Sequence, residues 1–135
     1  MSPRLARFLT SGRVRRRTTL WVVFRQMPRY VRPKVLARET AVVEWRLTGR
    51  RDGRPDVRQL VIENGGALVL SGEPREADLE LTVSAADLLL LASRNADGGA
   101  LFMRGELQVN GDPWLAMRLP RFFGRRRRAR RRRRA

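Results

Sequence analysis

From residue 41 onward apolar and polar side chains alternate, whereas before it apolar side chains recur three and four residues apart. In AVVEWRL (41–47), Val43, Trp45 and Leu47 fall on one side and Glu44 and Arg46 on the other, the period of a half-buried strand. RRDGRPD (50–56) supplies turn residues after it. QLVIENGGALVLSG (59–72) then gives two apolar runs joined by Asn64-Gly65, a pair that tolerates positive φ and so marks a tight hairpin. DLELTV (78–83) repeats the alternation, with Leu79, Leu81 and Val83 opposite Glu80 and Thr82. Four consecutive strands joined by short turns predict an antiparallel meander.

The period then returns to that of a helix. Ser84-Ala-Ala-Asp87 resembles a capping box, with Asp in the place usually held by Glu or Gln. Leu88 to Leu91 follow as four adjacent leucines. Because each residue advances about 100°, they cover nearly the whole circumference, while one core-facing stripe needs little more than 100° of it. Such a helix must be buried on two sides, or it borders a cavity, a partner or a lipid. GGALFMRG (98–105) reads as a short helical piece and ELQVNG (106–111) as a fifth strand, with Leu107 and Val109 on one face and Gly105 and Gly111 at its ends. Asp112-Pro113 starts a helix, since Asp accepts from free amides and Pro fits the first turn. That helix carries Trp114, Leu115, Met117 and Leu119 before Pro120, an apolar and deformable set suited to a lid.

Residues 1–40 predict two or three short helices. Leu5, Phe8 and Leu9 share a face of the first, and Gly12 ends it. Leu20, Trp21 and Phe24 form the apolar side of the second, with Arg13, Arg15, Arg16 and Arg17 clustered ahead of them. A basic amphipathic helix of this kind lies on an anionic membrane surface or packs on its own domain.

Composition narrows the chemistry. A chain of 135 residues fits one domain with a core of its own. Histidine and cysteine are both absent, which removes imidazole bases, His-containing triads, thiolate metal sites and disulfides. An enzyme is therefore disfavoured, no metal and no cofactor are expected, and the lack of cysteine fits a reducing, cytoplasmic compartment. No apolar run approaches the roughly 18 residues that span a bilayer.

The net charge of +17 is unevenly placed. Residues 1–38 hold ten arginines, Lys34 and no acid, a charge of +11, while residues 125–134 hold nine arginines, a charge of +9. The body, 39–124, holds ten arginines against all thirteen acids, a charge of −3. An arginine-only tail cannot bury apolar surface, and it is expected to be disordered and to adhere to anionic surfaces. Nucleic acid is the competing partner, disfavoured because the tail lacks aromatic residues for base stacking and the body is acidic. Arginine outnumbers lysine 29 to 1, a bias that GC-rich coding would also produce.

ADLELTVSAADLLLLASR (77–94) and GALFMRGELQVNGDPWLAMRL (99–119) resemble, in order and spacing, the sterol carrier protein type 2 domain family. The likeness runs over about residues 41–123. It implies an α+β fold: a five-stranded, mainly antiparallel sheet with helices over one face, enclosing an apolar tunnel that holds a lipid. Residues 1–40, with their Met27-Pro28 turn, are similar to the bacterial branch of the family, which includes accessory factors for assembling polyprenyl quinones. The organisation expected is a basic helical segment (1–40), a lipid-binding domain (41–123) and an Arg-rich tail (124–135).

The function expected is a non-enzymatic carrier of a lipid, sterol or isoprenoid, or a scaffold for lipid- or quinone-biosynthetic enzymes. The expected tunnel lining is Trp45, Leu88, Leu91, Leu101, Phe102, Leu107, Val109, Trp114, Met117 and Leu119. The expected contacts to an anionic membrane are Arg13, Arg15, Arg16 and Arg17 with Arg125, Arg126, Arg127, Arg128, Arg130, Arg131, Arg132, Arg133 and Arg134, making the protein peripheral to the membrane. Arg104 and Arg118 are candidates to steady a head group at the tunnel mouth.

Overall fold

A computed structural model describes residues 1–71 and 74–124. Helices α1 (Pro3–Thr10) and α2 (Arg13–Gln26), a 3-10 turn (Met27–Tyr30) and α3 (Pro33–Arg38) precede strands β1 (Ala41–Thr48), β2 (Asp56–Glu63), β3 (Gly66–Leu70) and β4 (Leu79–Ser84). Helices α4 (Ala85–Ala92) and α5 (Gly98–Met103), strand β5 (Leu107–Gly111), helix α6 (Pro113–Arg118) and a last 3-10 turn (Leu119–Arg121) complete the order.

The local signals hold. Asn64 and Gly65 take φ of 53° and 77° between β2 and β3. Ser84 Oγ accepts from the Asp87 amide at 3.0 Å, and Asp112 Oδ1 accepts from the amides of Trp114 and Leu115 at 2.9 and 3.3 Å.

The meander does not hold. The strand order is β3-β2-β1-β4-β5, and β4 lies parallel to β1, from Val43 beside Leu79 to Thr48 beside Ser84, while the other three pairings are antiparallel. Alternation in β4 fixes which of its faces is buried, because Leu79, Leu81 and Val83 continue the row of Val43, Trp45 and Leu47. It carries no information about which strand lies beside it. Ahead of β4, Arg75 lies against the opposite face, where it pairs its amide with Gln59 Oε1 at 2.9 Å and its carbonyl with Gln59 Nε2 at 2.7 Å. That contact buries Gln59 and Glu44, whose carboxylate accepts from Gln59 Nε2 at 2.9 Å and Arg46 Nε at 2.8 Å.

Helices cover the other face. Leu20 and Phe24 of α2, Met27, Val31, Leu36 of α3, Leu88 of α4, and Leu115, Leu119 and Phe122 near the C-terminus join the inner residues of β1, β2 and β4 in one core. The N-terminal segment thus shares the core of the sheet. The described C-terminal residues close on it: Arg32 donates its amide to the Phe122 carbonyl at 2.8 Å and Gly124 to the Tyr30 carbonyl at 2.9 Å.

The leucine run is buried on two sides. Leu88 faces the sheet, while Leu89 and Leu90 pack with Ala6 and Leu9 of α1 in a second cluster. The buried residues of α1 are Ala6 and Thr10, with Leu9 half-buried, and not the expected Leu5, Phe8, Leu9 row. Small Ala6 lets the helix approach α4 closely. Leu5 and Phe8 turn outward, and the Arg15 guanidinium lies 4.5 Å from the centre of the Phe8 ring. In α2 the buried row is Arg16, Leu20 and Phe24, spaced four apart, so Trp21 points to solvent with Arg25 4.9 Å above its ring.

Asp78 ties β1, β4 and β5 together. Its amide donates to the Val42 carbonyl at 2.9 Å, its carboxylate accepts from the Val42 amide at 2.7 Å, and its carbonyl accepts from the Asp112 amide at 2.9 Å. Gly111 makes this approach possible: its φ is +119°, and a Cβ there would stand 2.5 Å from the Asp78 carbonyl oxygen.

Gly111→Ala should lower unfolding stability by about 2–4 kcal/mol through clash and backbone strain, read by chemical denaturation, whereas Gly65→Ala, with open space around it, should be milder. Leu89→Ala and Leu90→Ala should each cost about 2 kcal/mol and speed amide exchange in α1 before that of the sheet, as measured by hydrogen exchange.

Candidate functional site

The residues expected to line a tunnel divide by position in the fold. Trp45, Leu88, Leu101 and Leu119 are buried, and Leu91, Leu107 and Val109 are half-buried. Phe102, Trp114 and Met117 are exposed, at 52%, 70% and 71% of their surface, and neighbouring Met103 reaches 83%. The buried members belong mainly to the sheet, α4 and the inward sides of α5 and the C-terminal turn. Every open member other than Leu91 lies on α5, β5 or α6.

Geometry accounts for this division. β5 is an edge strand, paired on one side with β4 through Leu81 beside Val109 and Val83 beside Leu107. Its inward residues continue the core face, yet Leu107 and Val109 stay only half-covered. Helices α5 and α6 stand at the two ends of this strand. On α6, Leu115 turns into the core while Trp114 and Met117, three residues apart, share the outer side. On α5, Leu101 turns inward, and Phe102 and Met103 do not. Each helix is thus apolar on both sides, and the core reaches the surface at β5. Alternation and helical period mark these residues as apolar; Met103, next to Phe102 and more exposed, is a member that the expected lining lacks.

Among the described residues, the Trp45 indole Nε1, on the core side of β1, is a buried donor without a hydrogen-bond partner, and Gln26 Oε1 is a buried acceptor in the same condition. Leaving such a group unpaired costs about 1–3 kcal/mol.

The head-group candidates are engaged on the surface: Arg118 Nη2 donates to Glu39 Oε2 at 3.0 Å, and Arg104 Nη2 to Glu106 Oε2 at 3.2 Å. Among the four N-terminal arginines, Arg13, Arg15 and Arg17 are exposed. Arg16, expected among the membrane contacts, is instead buried and has a structural role. Its Nε meets Asp56 Oδ2 at 2.9 Å, and its Nη2 donates to the carbonyls of Leu47 and Thr48 at 3.2 and 3.1 Å. A signal for this was present in its spacing, since Arg16 falls four residues before Leu20 on the buried row. The partner, forty positions away, left none. Arg125–Arg128 and Arg130–Arg134 lie outside the described residues. Among the described residues no helix is long and apolar enough to cross a membrane.

The comparisons with known proteins agree with this architecture. The family model described as the SCP-2 sterol transfer family matches residues 24–124. Sterol carrier protein 2 of Bos taurus is 34% identical over 58 residues, 43% of this chain, and that match spans only 11% of the bovine protein. The apo form of sterol carrier protein 2 from Yarrowia lipolytica is 28% identical, with a TM-score of 0.54 over 62% of this chain and 72% of that one. The fold is shared with the ubiquinone synthesis protein UbiJ-SCP2, at a TM-score of 0.55 and 19% identity over 83% of this chain and 93% of that one. With its mixed five-stranded sheet, one helix-covered face and a matching model across three quarters of its length, the chain belongs to the SCP-2 sterol transfer family.

Proposed function

We propose that this protein is a non-enzymatic carrier of an apolar ligand, a lipid, sterol or isoprenoid, which enters beside β5 between α5 and α6. The observation that carries the reading is the set of apolar side chains left uncovered on these elements: Phe102 and Met103 on α5, Trp114 and Met117 on α6, and half-covered Leu107 and Val109 on the strand that links them. Transfer of a hydrocarbon chain from water onto such a surface gains about 25 cal/mol per Å² without any directed polar contact. The leucine run no longer argues for a cavity, since the sheet and α1 account for it. Leu91, Leu101 and Leu119 would form the inner wall, with Trp45 and Leu88 behind them. The unpaired Trp45 Nε1 would favour a ligand that carries an oxygen acceptor.

Extraction of the purified protein followed by mass spectrometry should recover a lipid in near-stoichiometric amount. A delipidated sample should take up a fluorescent fatty acid or sterol, and Trp114→Ala with Met117→Ala should weaken that uptake about tenfold while leaving the melting temperature nearly unchanged. A protein that is empty as isolated and ignores every added lipid would overturn the proposal. In that case the same surface would suit a docking site for lipid- or quinone-biosynthetic enzymes, and a stable lipid-free complex would establish it.

The basic ends complete the reading as a peripheral anchor to anionic membranes, through Arg13, Arg15 and Arg17 together with the arginines of 125–134. Exposed Trp21 and Phe8, each beneath an arginine, would sit at the interface. The protein should float with phosphatidylglycerol vesicles and not with phosphatidylcholine ones. Binding should be lost as added salt shortens the Debye length from about 10 Å to about 3 Å. Tighter binding to RNA or DNA than to vesicles, measured at equal salt, would replace the membrane with nucleic acid.

A further inference from the structure

The turn between α1 and α2 faces the long turn between β1 and β2 across a cleft of about 720 Å³. Its walls bring together Arg13, Arg16 and Arg17 from one side and Arg50, Arg51 and Arg58 from the other. Asp52 and Asp56 are the acids in the lining, so six guanidinium groups stand against two carboxylates.

Those two acids are already engaged. Asp56 holds Arg16 at 2.9 Å through one oxygen and Arg50 at 3.2 Å through the other. Asp52 accepts the Arg54 amide at 3.0 Å and the Arg50 guanidinium at 2.6 Å, contacts that hold its carboxyl below the ordinary range. Arg58 donates to its own neighbour's carbonyl, that of Val57, at 2.8 Å. Exposed Arg13, Arg17 and Arg51 have no acid partner among the described residues.

The walls are also held in place. Arg16 braces both turns at once through Asp56 and the carbonyls of Leu47 and Thr48, and Gly49, at a φ of +106°, leaves room for its guanidinium, which a Cβ would approach to 3.3 Å. The α2 end adds Ser11 and Gly12 to the rim, with no side chain capping the helix. Guanidinium forks match phosphate oxygens in pairs, and a concave, one-signed site concentrates a multiply charged anion more than a flat surface does.

We propose that this cleft binds a phosphate-bearing anion, either a free diphosphate or the phosphorylated head group of a lipid, with Arg13, Arg17 and Arg51 as its ligands and Arg16 as the strut between its walls. The site is separate from the apolar surface at β5 and does not depend on the carrier reading; it shares Arg13 and Arg17 with the membrane anchor, from which the amides of Gly49–Arg51 on the facing wall distinguish it.

Residue-resolved NMR of the full chain tests it, because the position of each perturbed amide separates the cleft from the arginine tail. Inorganic pyrophosphate should shift the amides of Ser11–Arg13 and Gly49–Arg51 saturably. The combined Arg13→Gln, Arg17→Gln and Arg51→Gln variant should weaken that response at least about tenfold. The charge-matched Arg38→Gln, Arg94→Gln and Arg121→Gln variant, altered away from the cleft, should not. If pyrophosphate fails but phosphatidylglycerol vesicles perturb the same amides, and the cleft variant abolishes this, the ligand is a lipid head group. The single variants Arg17→Gln and Arg51→Gln, each two- to fivefold weaker by about the same arithmetic, carry the test should the triple variant lose its dispersed spectrum. Absence of saturable shifts at the cleft with both probes, or equal weakening by both triple variants, would overturn the proposal.

Discussion

The parallel ladder between β1 and β4 governs the rest of the molecule. A parallel neighbour cannot follow β3 through a tight turn, so the chain must cross one face of the sheet, and the crossing buries Glu44 and Gln59 there. With β1 flanked on both sides, β4 delivers α4 onto the other face, and β5 is left at the free margin next to β4. The carbonyl of Asp78, resting against a glycine, fixes where that margin ends and α6 begins. The openness of the apolar surface beside β5 is therefore a consequence of strand order, not of loose packing.

Much of this was legible in the residues. Alternation located β1, β4 and β5, two apolar runs around Asn64-Gly65 located β2, β3 and their hairpin, and Ser84 and Asp112 located two helix starts, since each of those signals depends on neighbours within a few positions. The order of strands was not legible, because a face can be read from period two and a neighbour cannot. Nor was the outward turn of Leu5, Phe8 and Trp21: an apolar row states that a helix has a buried side, but Ala6 and Arg16 decided which side it was. The expected lining residues of the candidate site were recognisable as apolar, yet their division into buried Leu88 and Leu101 and open Phe102 and Trp114 came from the edge position of β5.

The arginine-lined cleft and the apolar side chains around β5 occupy different parts of the framework. Six guanidinium groups gather where two turns meet at the α1–α2 end, and the uncovered Phe102, Met103, Trp114 and Met117 lie on the helices before and after the last strand. The two sets serve different chemistry, one suited to oxygen-rich anions and one to hydrocarbon. A ligand that is greasy at one end and phosphorylated at the other presents both kinds of group.

Arg16 makes a point about composition. Nearly all basic residues here are arginines, and on most of the surface a lysine would carry the same charge. At position 16 it would not: a single ammonium cannot reach a carboxylate and two carbonyls of separate residues with the fixed spacing of a guanidinium fork. Codon drift toward lysine would be silent in most of this sequence and would unfasten two walls of the molecule at that one site.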